Sequence, residues 1–152
     1  MVALCKKAVT PSPEDTEKIG AELAEKMEND DTLPPFVALY GDLGVGKTAF
    51  VRGFASVAAP GSAVRSPTFA LVNEYRGGKR PVFHFDMYRI ADDDELYSIG
   101  FYDYPDRGIC LIEWSENIPF AMPDSYIRVT IRKTTADKPD ERVITIERIE
   151  KS

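Results

Sequence analysis

Long apolar runs, a surplus of positive charge and clustered cysteines are all missing from this 152-residue chain, and each absence excludes a class of protein. No apolar stretch approaches the ~18 residues that a membrane-spanning helix requires. The two cysteines, Cys5 and Cys110, show no metal-ligand spacing, so a reduced, cytoplasmic protein is expected. The opening MVALCKKAVTPSPEDT has neither a long apolar core nor a small-residue cleavage site, which predicts no secretion signal. Nineteen Lys and Arg stand against 25 Asp and Glu, for a net charge of −6. Independent nucleic-acid binding needs clustered cations to displace counterions, so any work on RNA is expected to pass through a partner. Internal repeats, low-complexity tracts and long linkers are absent too.

What is present suits one folded domain over residues 1–152, long enough to bury roughly two-thirds of its unfolded surface. A 43% hydrophobic content excludes a disordered chain. SPEDTEKIGAELAEKMEN reads as a helix, with Ser12 as cap, Pro13 in the first turn and Glu14 and Asp15 at the positive end. Ile19, Leu23 and Met27 give it one apolar face. PPFVALY and GICLIEW are buried-strand candidates, and KTAFVRGFASVA is a second helix. FALVNEYR and RPVFHFDMYRI are strand-like runs joined across Gly77-Gly78, a hairpin signal. DDDELYSIG has the acidic start and glycine end of a short helix. YIRVTIRK and ERVITIER make a C-terminal β-hairpin around a polar loop. The sum is a three-layer α/β domain with a mixed β-sheet.

Residues 41–48, GDLGVGKT, fit G-x-x-x-x-G-K-[ST] without a mismatch between a strand-like and a helix-like run. The spacing has a chemical reason. Glycines let successive N–H groups curl around a β-phosphate, and the following helix aims its positive end at it. Lys47 reaches toward β- and γ-phosphates, while the Thr48 hydroxyl suits Mg²⁺. The bland alternative is a glycine-rich turn. The motif in this context predicts a P-loop NTPase-like nucleotide site with ATP and Mg²⁺, set against a protein field of negative sign.

A phosphate loop needs a carboxylate on the metal side, usually at the end of a buried strand. VFHFD delivers Asp86 and ICLIE delivers Glu113. One could hold Mg²⁺ while the other orients the attacking water, and the sequence leaves the division open. His84, the only histidine, shares a strand face with Asp86 and is expected to be a packed structural residue. Trp114 follows Glu113 directly and is either core, interface or a reporter of nucleotide state.

GDLGVGKTAFVRGF, SPTFALVNEY, FHFDMYRI, ELYSIGFYDY and LIEWSENIP occur in this order and at these separations. In these segments the chain resembles the bacterial TsaE family, formerly YjeE, over roughly residues 10 to 147. The resemblance implies a small ATPase required for threonylcarbamoyl modification of adenosine 37 in tRNAs reading ANN codons. It also implies TsaB and TsaD as partners, with TsaD carrying the transfer site, tRNA reached only through the complex, and ATP turnover resetting that complex between cycles. By resemblance, Gly41, Asp42, Leu43, Gly44, Val45, Gly46, Lys47 and Thr48 hold the triphosphate, and Thr48 and Glu113 hold Mg²⁺. Lys47, Asp86 and Glu113 are then the catalytic residues. Ser66, Pro67 and Thr68 resemble a switch that senses the γ-phosphate, and Tyr88 and Trp114 match aromatic positions of the family's active region. Arg142, in ERVITI, falls where the family tends to carry a basic residue near the nucleotide.

Three other readings remain on sequence grounds. A small-molecule kinase would need an acceptor-binding insertion and an arginine-bearing lid, for which 152 residues leave little room. A GTPase-like switch lacks its [NT]-K-x-D and D-x-x-G signatures. A nucleotide-responsive binding module that scarcely hydrolyses would be separated by turnover with and without partners.

Overall fold

A computed structural model describes residues 5–41, 46–65, 67 and 71–151. Among them, seven strands and three α-helices follow in the order β1 (Cys5–Thr10), α1 (Pro13–Asn29), β2 (Phe36–Tyr40), α2 (Lys47–Ala58), β3 (Val72–Tyr75), β4 (Val82–Asp86), α3 (Asp93–Ser98), β5 (Ile109–Glu113), β6 (Ser125–Lys133) and β7 (Arg142–Glu150). The strands form one mixed sheet in the order β1-β7-β6-β2-β5-β4-β3. β6, β2, β5 and β4 run parallel, and β3, β7 and β1 join antiparallel at the flanks. None of the helices among the described residues is long and apolar enough to cross a membrane.

Helices cover both faces, giving the expected three layers. One core cluster joins Leu23 and Met27 of α1 and Phe50 and Phe54 of α2 to Leu39, Leu111 and Val129 of the sheet. The opposite cluster joins Leu96 of α3 and Phe101 of the 3₁₀ segment Phe101–Asp106 to Ala38, Phe85 and Ile112. Even and odd positions of β2 and β5 thus enter different cores, which is why these two strands read as continuous apolar runs.

One expected boundary moves, and one strand was not expected. The run RPVFHFDMYRI is strand only to Asp86, and the Met87 amide closes the ladder with β5 by donating to the Glu113 carbonyl at 3.0 Å. β1 has no apolar alternation to announce it; pairing with β7 defines it, and its Lys6 and Lys7 guard an edge strand. The C-terminal hairpin forms as expected and is part of the sheet, since β6 also pairs with β2 and β7 with β1.

α1 forms as its sequence predicts, with Ser12 Oγ accepting from the Asp15 amide at 3.3 Å and Ile19, Leu23 and Met27 buried. Its small residues have a further use. A Cβ on Gly20 would lie 2.2 Å from the Phe50 carbonyl oxygen, and one on Gly53 only 1.8 Å from that of Glu17. The helices therefore touch backbone to backbone, which fixes where α2 begins.

Gly53→Ala should lower stability by about 1–3 kcal/mol, as overpacking does, despite the ~1 kcal/mol gain in helix propensity. A denaturant midpoint equal to or above that of the wild type would contradict this packing.

Candidate functional site

Parallel pairing brings the C-terminal ends of β2, β5 and β4 to one edge of the sheet. Gly41 follows β2, Glu113 ends β5, and Asp86 ends β4 directly opposite Glu113 in register. α2 starts at the same edge. Its N-cap, Gly46, adopts φ 105°, a left-handed conformation that favours glycine, and no side chain caps the helix. The first-turn amides and the positive end of the helix dipole therefore serve this edge.

Lys47 is nearly buried, and its Nζ donates to the Gly41 carbonyl at 2.6 Å. The same ammonium lies 3.7 Å from the centroid of the Trp114 ring, which in turn packs against Tyr88 at 5.0 Å. Trp114 has φ 61°, a left-handed conformation that costs a non-glycine residue about 1–3 kcal/mol. That backbone turns the ring from the end of β5 onto Lys47.

Glu113 is buried and hydrogen-bonded to Nε2 of the wholly buried His84, whose Nδ1 meets the Tyr75 hydroxyl at 2.9 Å. Asp86 is about half-buried, and its Oδ1 accepts from the Tyr88 amide at 3.0 Å. Burial pushes its carboxyl above the ordinary aspartate range, against the Tyr88 amide, and the neighbouring Glu113 adds to the rise.

The segment after Trp114 ties these ends together. Ser115 Oγ donates to the Ile112 carbonyl at 2.8 Å, and Asn117 Nδ2 donates to the carbonyls of Met87 and Tyr88 at 2.9 and 3.0 Å. Glu116 accepts from the Gly41 amide at 3.1 Å. The motif LIEWSENIP contains all three residues, but only the fold reveals what each one holds.

The edge thus gathers Gly41, Gly46, Lys47, Thr48, Asp86, Tyr88, Glu113 and Trp114. Asp42, Leu43, Gly44, Val45, Ser66, Thr68 and Phe69 lie outside the described residues. Arg142 starts β7 at this same edge, two strands from β2 and opposite Lys133 at the end of β6, with its Nη1 on the carbonyls of Pro139 and Glu141 at 2.7 and 2.9 Å. His84 is packed as expected, yet its partner is one of the two acids. A Thr48 hydroxyl and two carboxylates are hard oxygen donors of the kind Mg²⁺ prefers, and phosphate oxygens and water would have to complete its shell.

This fold, with GDLGVGKT between β2 and α2, defines a three-layer α/β protein of the P-loop type. The model of the family "Threonylcarbamoyl adenosine biosynthesis protein TsaE" matches residues 10–144, and the chain belongs to that family. It is 36% identical over 136 residues to the Bacillus subtilis "tRNA threonylcarbamoyladenosine biosynthesis protein TsaE", covering 90% of this chain and 81% of that protein. The Haemophilus influenzae protein of the same name is 41% identical over 112 residues, covering 73% of this chain and 70% of that protein. The crystal structure of Bacillus subtilis YdiB superposes with a TM-score of 0.70 at 30% identity, covering 96% of this chain and 86% of that one.

A raised aspartate pKa means that the ionised form is disfavoured by folding. Stability from Asp86 is therefore full below the unfolded value of 3.8 and is lost as pH rises through the higher folded value. Asp86→Asn keeps an acceptor for Tyr88 and should be more stable than the wild type at pH 7. Urea midpoints across pH should show that advantage shrinking to nothing in acid. A variant less stable at pH 7 would contradict it.

Proposed function

We propose that this protein binds ATP with Mg²⁺ and hydrolyses it as the nucleotide-driven component of tRNA threonylcarbamoyladenosine synthesis, acting with TsaB and TsaD. The observation that carries the reading is the meeting of Lys47, at the head of an uncapped α2, with the paired carboxylates Asp86 and Glu113. A cation and the positive end of a helix, suited to phosphate, face two acids suited to metal and water. The names of the relatives supply the pathway.

Phosphoryl transfer asks a protein mainly for positioning and charge stabilisation. In this reading the amides of residues 41–48 cradle the phosphates, and Lys47 leaves the Gly41 carbonyl and the Trp114 ring for the β/γ oxygens. A cation–π contact is worth only about 0.5–2 kcal/mol, so it parks the ammonium without trapping it. Thr48 and Glu113 would hold Mg²⁺, which would supply positive charge to the phosphate oxygens. Asp86 orients the attacking water, and its raised pKa makes it a better proton acceptor than an ordinary aspartate.

Turnover is slow in isolation, because an arginine from a partner can be worth ~10³-fold in such sites and no arginine-bearing lid stands among the described residues. TsaB and TsaD provide the missing stabilisation, and tRNA is reached only through them, in the cytoplasm. Ser66 and Thr68 respond to the γ-phosphate, and Tyr88 and Trp114 pass nucleotide state to the partners.

Steady-state phosphate release tests this reading. Adding TsaB and TsaD from the same cell should raise the rate, and Glu113→Ala should lower it about 10²-fold or more in a folded protein. Lys47→Ala should lose most ATP affinity by calorimetry. Wild-type ATP binding by Lys47→Ala, or partners that neither associate nor change the rate, would overturn it.

A further inference from the structure

A diagonal of side chains crosses the face of the sheet under α1 and α2. Glu113 of β5, His84 of β4 and Tyr75 of β3 lie on it, because His84 pairs with Leu111 and with Asn73, each two residues from the next member. His84 is wholly buried, with Nε2 on Glu113 and Nδ1 2.9 Å from the Tyr75 hydroxyl. That hydroxyl donates to the Arg65 carbonyl at 3.0 Å and accepts from the Arg65 amide at 3.3 Å. An acceptor-only Glu113 carboxylate requires the hydrogen on His84 Nε2, so Nδ1 of the neutral ring accepts the hydroxyl's proton, which it shares with the Arg65 carbonyl. Asn73 Nδ2 donates to the same carbonyl at 3.0 Å.

We propose that Tyr75 and His84 are positioning residues, forming a relay that fixes the Glu113 carboxylate and couples its position to the backbone of Arg65. The inference rests on the reading that Glu113 faces the metal of a bound nucleotide. It adds a route to the segment beginning at Ser66 that does not need the phosphate to touch that segment. The physical reason is stiffness. The imidazole is a rigid ring engaged at both nitrogens and enclosed on all sides, so it cannot follow Glu113 without moving against Tyr75. Leaving either buried nitrogen unpaired would cost the full desolvation of that group. Strand spacing makes the span from β5 to β3 about 10 Å, so the effect is felt two strands from its source.

Arg65 is exposed and is followed by Ser66, so trypsin cleavage of the 65–66 bond reports on this backbone directly. Tyr75→Phe removes one oxygen and keeps the ring that packs on His84 at 5.9 Å. Cleavage is followed with and without saturating Mg²⁺ and a non-hydrolysable ATP analogue, with binding of the analogue measured by calorimetry. In the wild type, the analogue should change the cleavage rate about tenfold, within the usual range of coupling between sites. Tyr75→Phe should bind the analogue within about twofold of wild type yet lose that response, and its kcat should fall about tenfold at unchanged KM. Glu113→Ala, at the far end of the relay, should raise cleavage at Arg65 without nucleotide, an arm that does not depend on the folding of Tyr75→Phe. A Tyr75→Phe protein that responds like the wild type, or a wild type that binds the analogue without response, overturns the relay and leaves the ATP reading standing. A wild type that does not bind the analogue overturns both.

Discussion

The insertion of β5 between β2 and β4, parallel to both, is the constraint on which the rest depends. Every residue of β5 is buried, so both of its faces are specified by packing. Register is then fixed, because a slip of one residue would turn each side chain to the other face. In the observed register Glu113 stands opposite Asp86, and Phe36 at the start of β2 opposite Cys110. Two acids, Gly41 and the start of α2 thereby share one edge, and the diagonal through His84 exists only because Leu111, two residues before Glu113, faces it.

Around that edge the chain accepts arrangements that cost stability. Trp114 is held left-handed, Asp86 is carried into partial burial beside another acid, and an ammonium is drawn into a nearly closed niche. Rigid neighbours make these tolerable. The close contact of α1 and α2 at Gly20 and Gly53 fixes the start of α2, Ser115 braces the end of β5, and Asn117 lashes it to the end of β4. Strain gathered at one place and supported by ordinary packing elsewhere is what a site that must rearrange around a ligand would require.

Much of this was legible in advance. The capped, striped α1, the apolar β2 and β5 and the acids that end β4 and β5 follow from local patterns that the tertiary fold leaves intact. β1 was not legible, because an edge strand with two lysines has no buried face of its own until β7 supplies one. Nor were the roles of Tyr75, Glu116 and Asn117. Their contacts join residues 9, 75 and 30 positions apart, and no local spacing encodes such pairs. His84 shows the limit most clearly: its burial could be expected from its strand, but its partner across the sheet could not. Arg142 matched only a short motif beside a loop, and it stands two strands away from β2.

The central claim is that nucleotide phosphates take Lys47 from the Trp114 ring. Trp114 is the only tryptophan in the chain, so its emission reports that contact without a label. Titration with Mg²⁺ and a non-hydrolysable ATP analogue should change Trp114 fluorescence along the same saturation curve as the heat of binding. Emission that stays constant while the analogue saturates the protein would contradict the account.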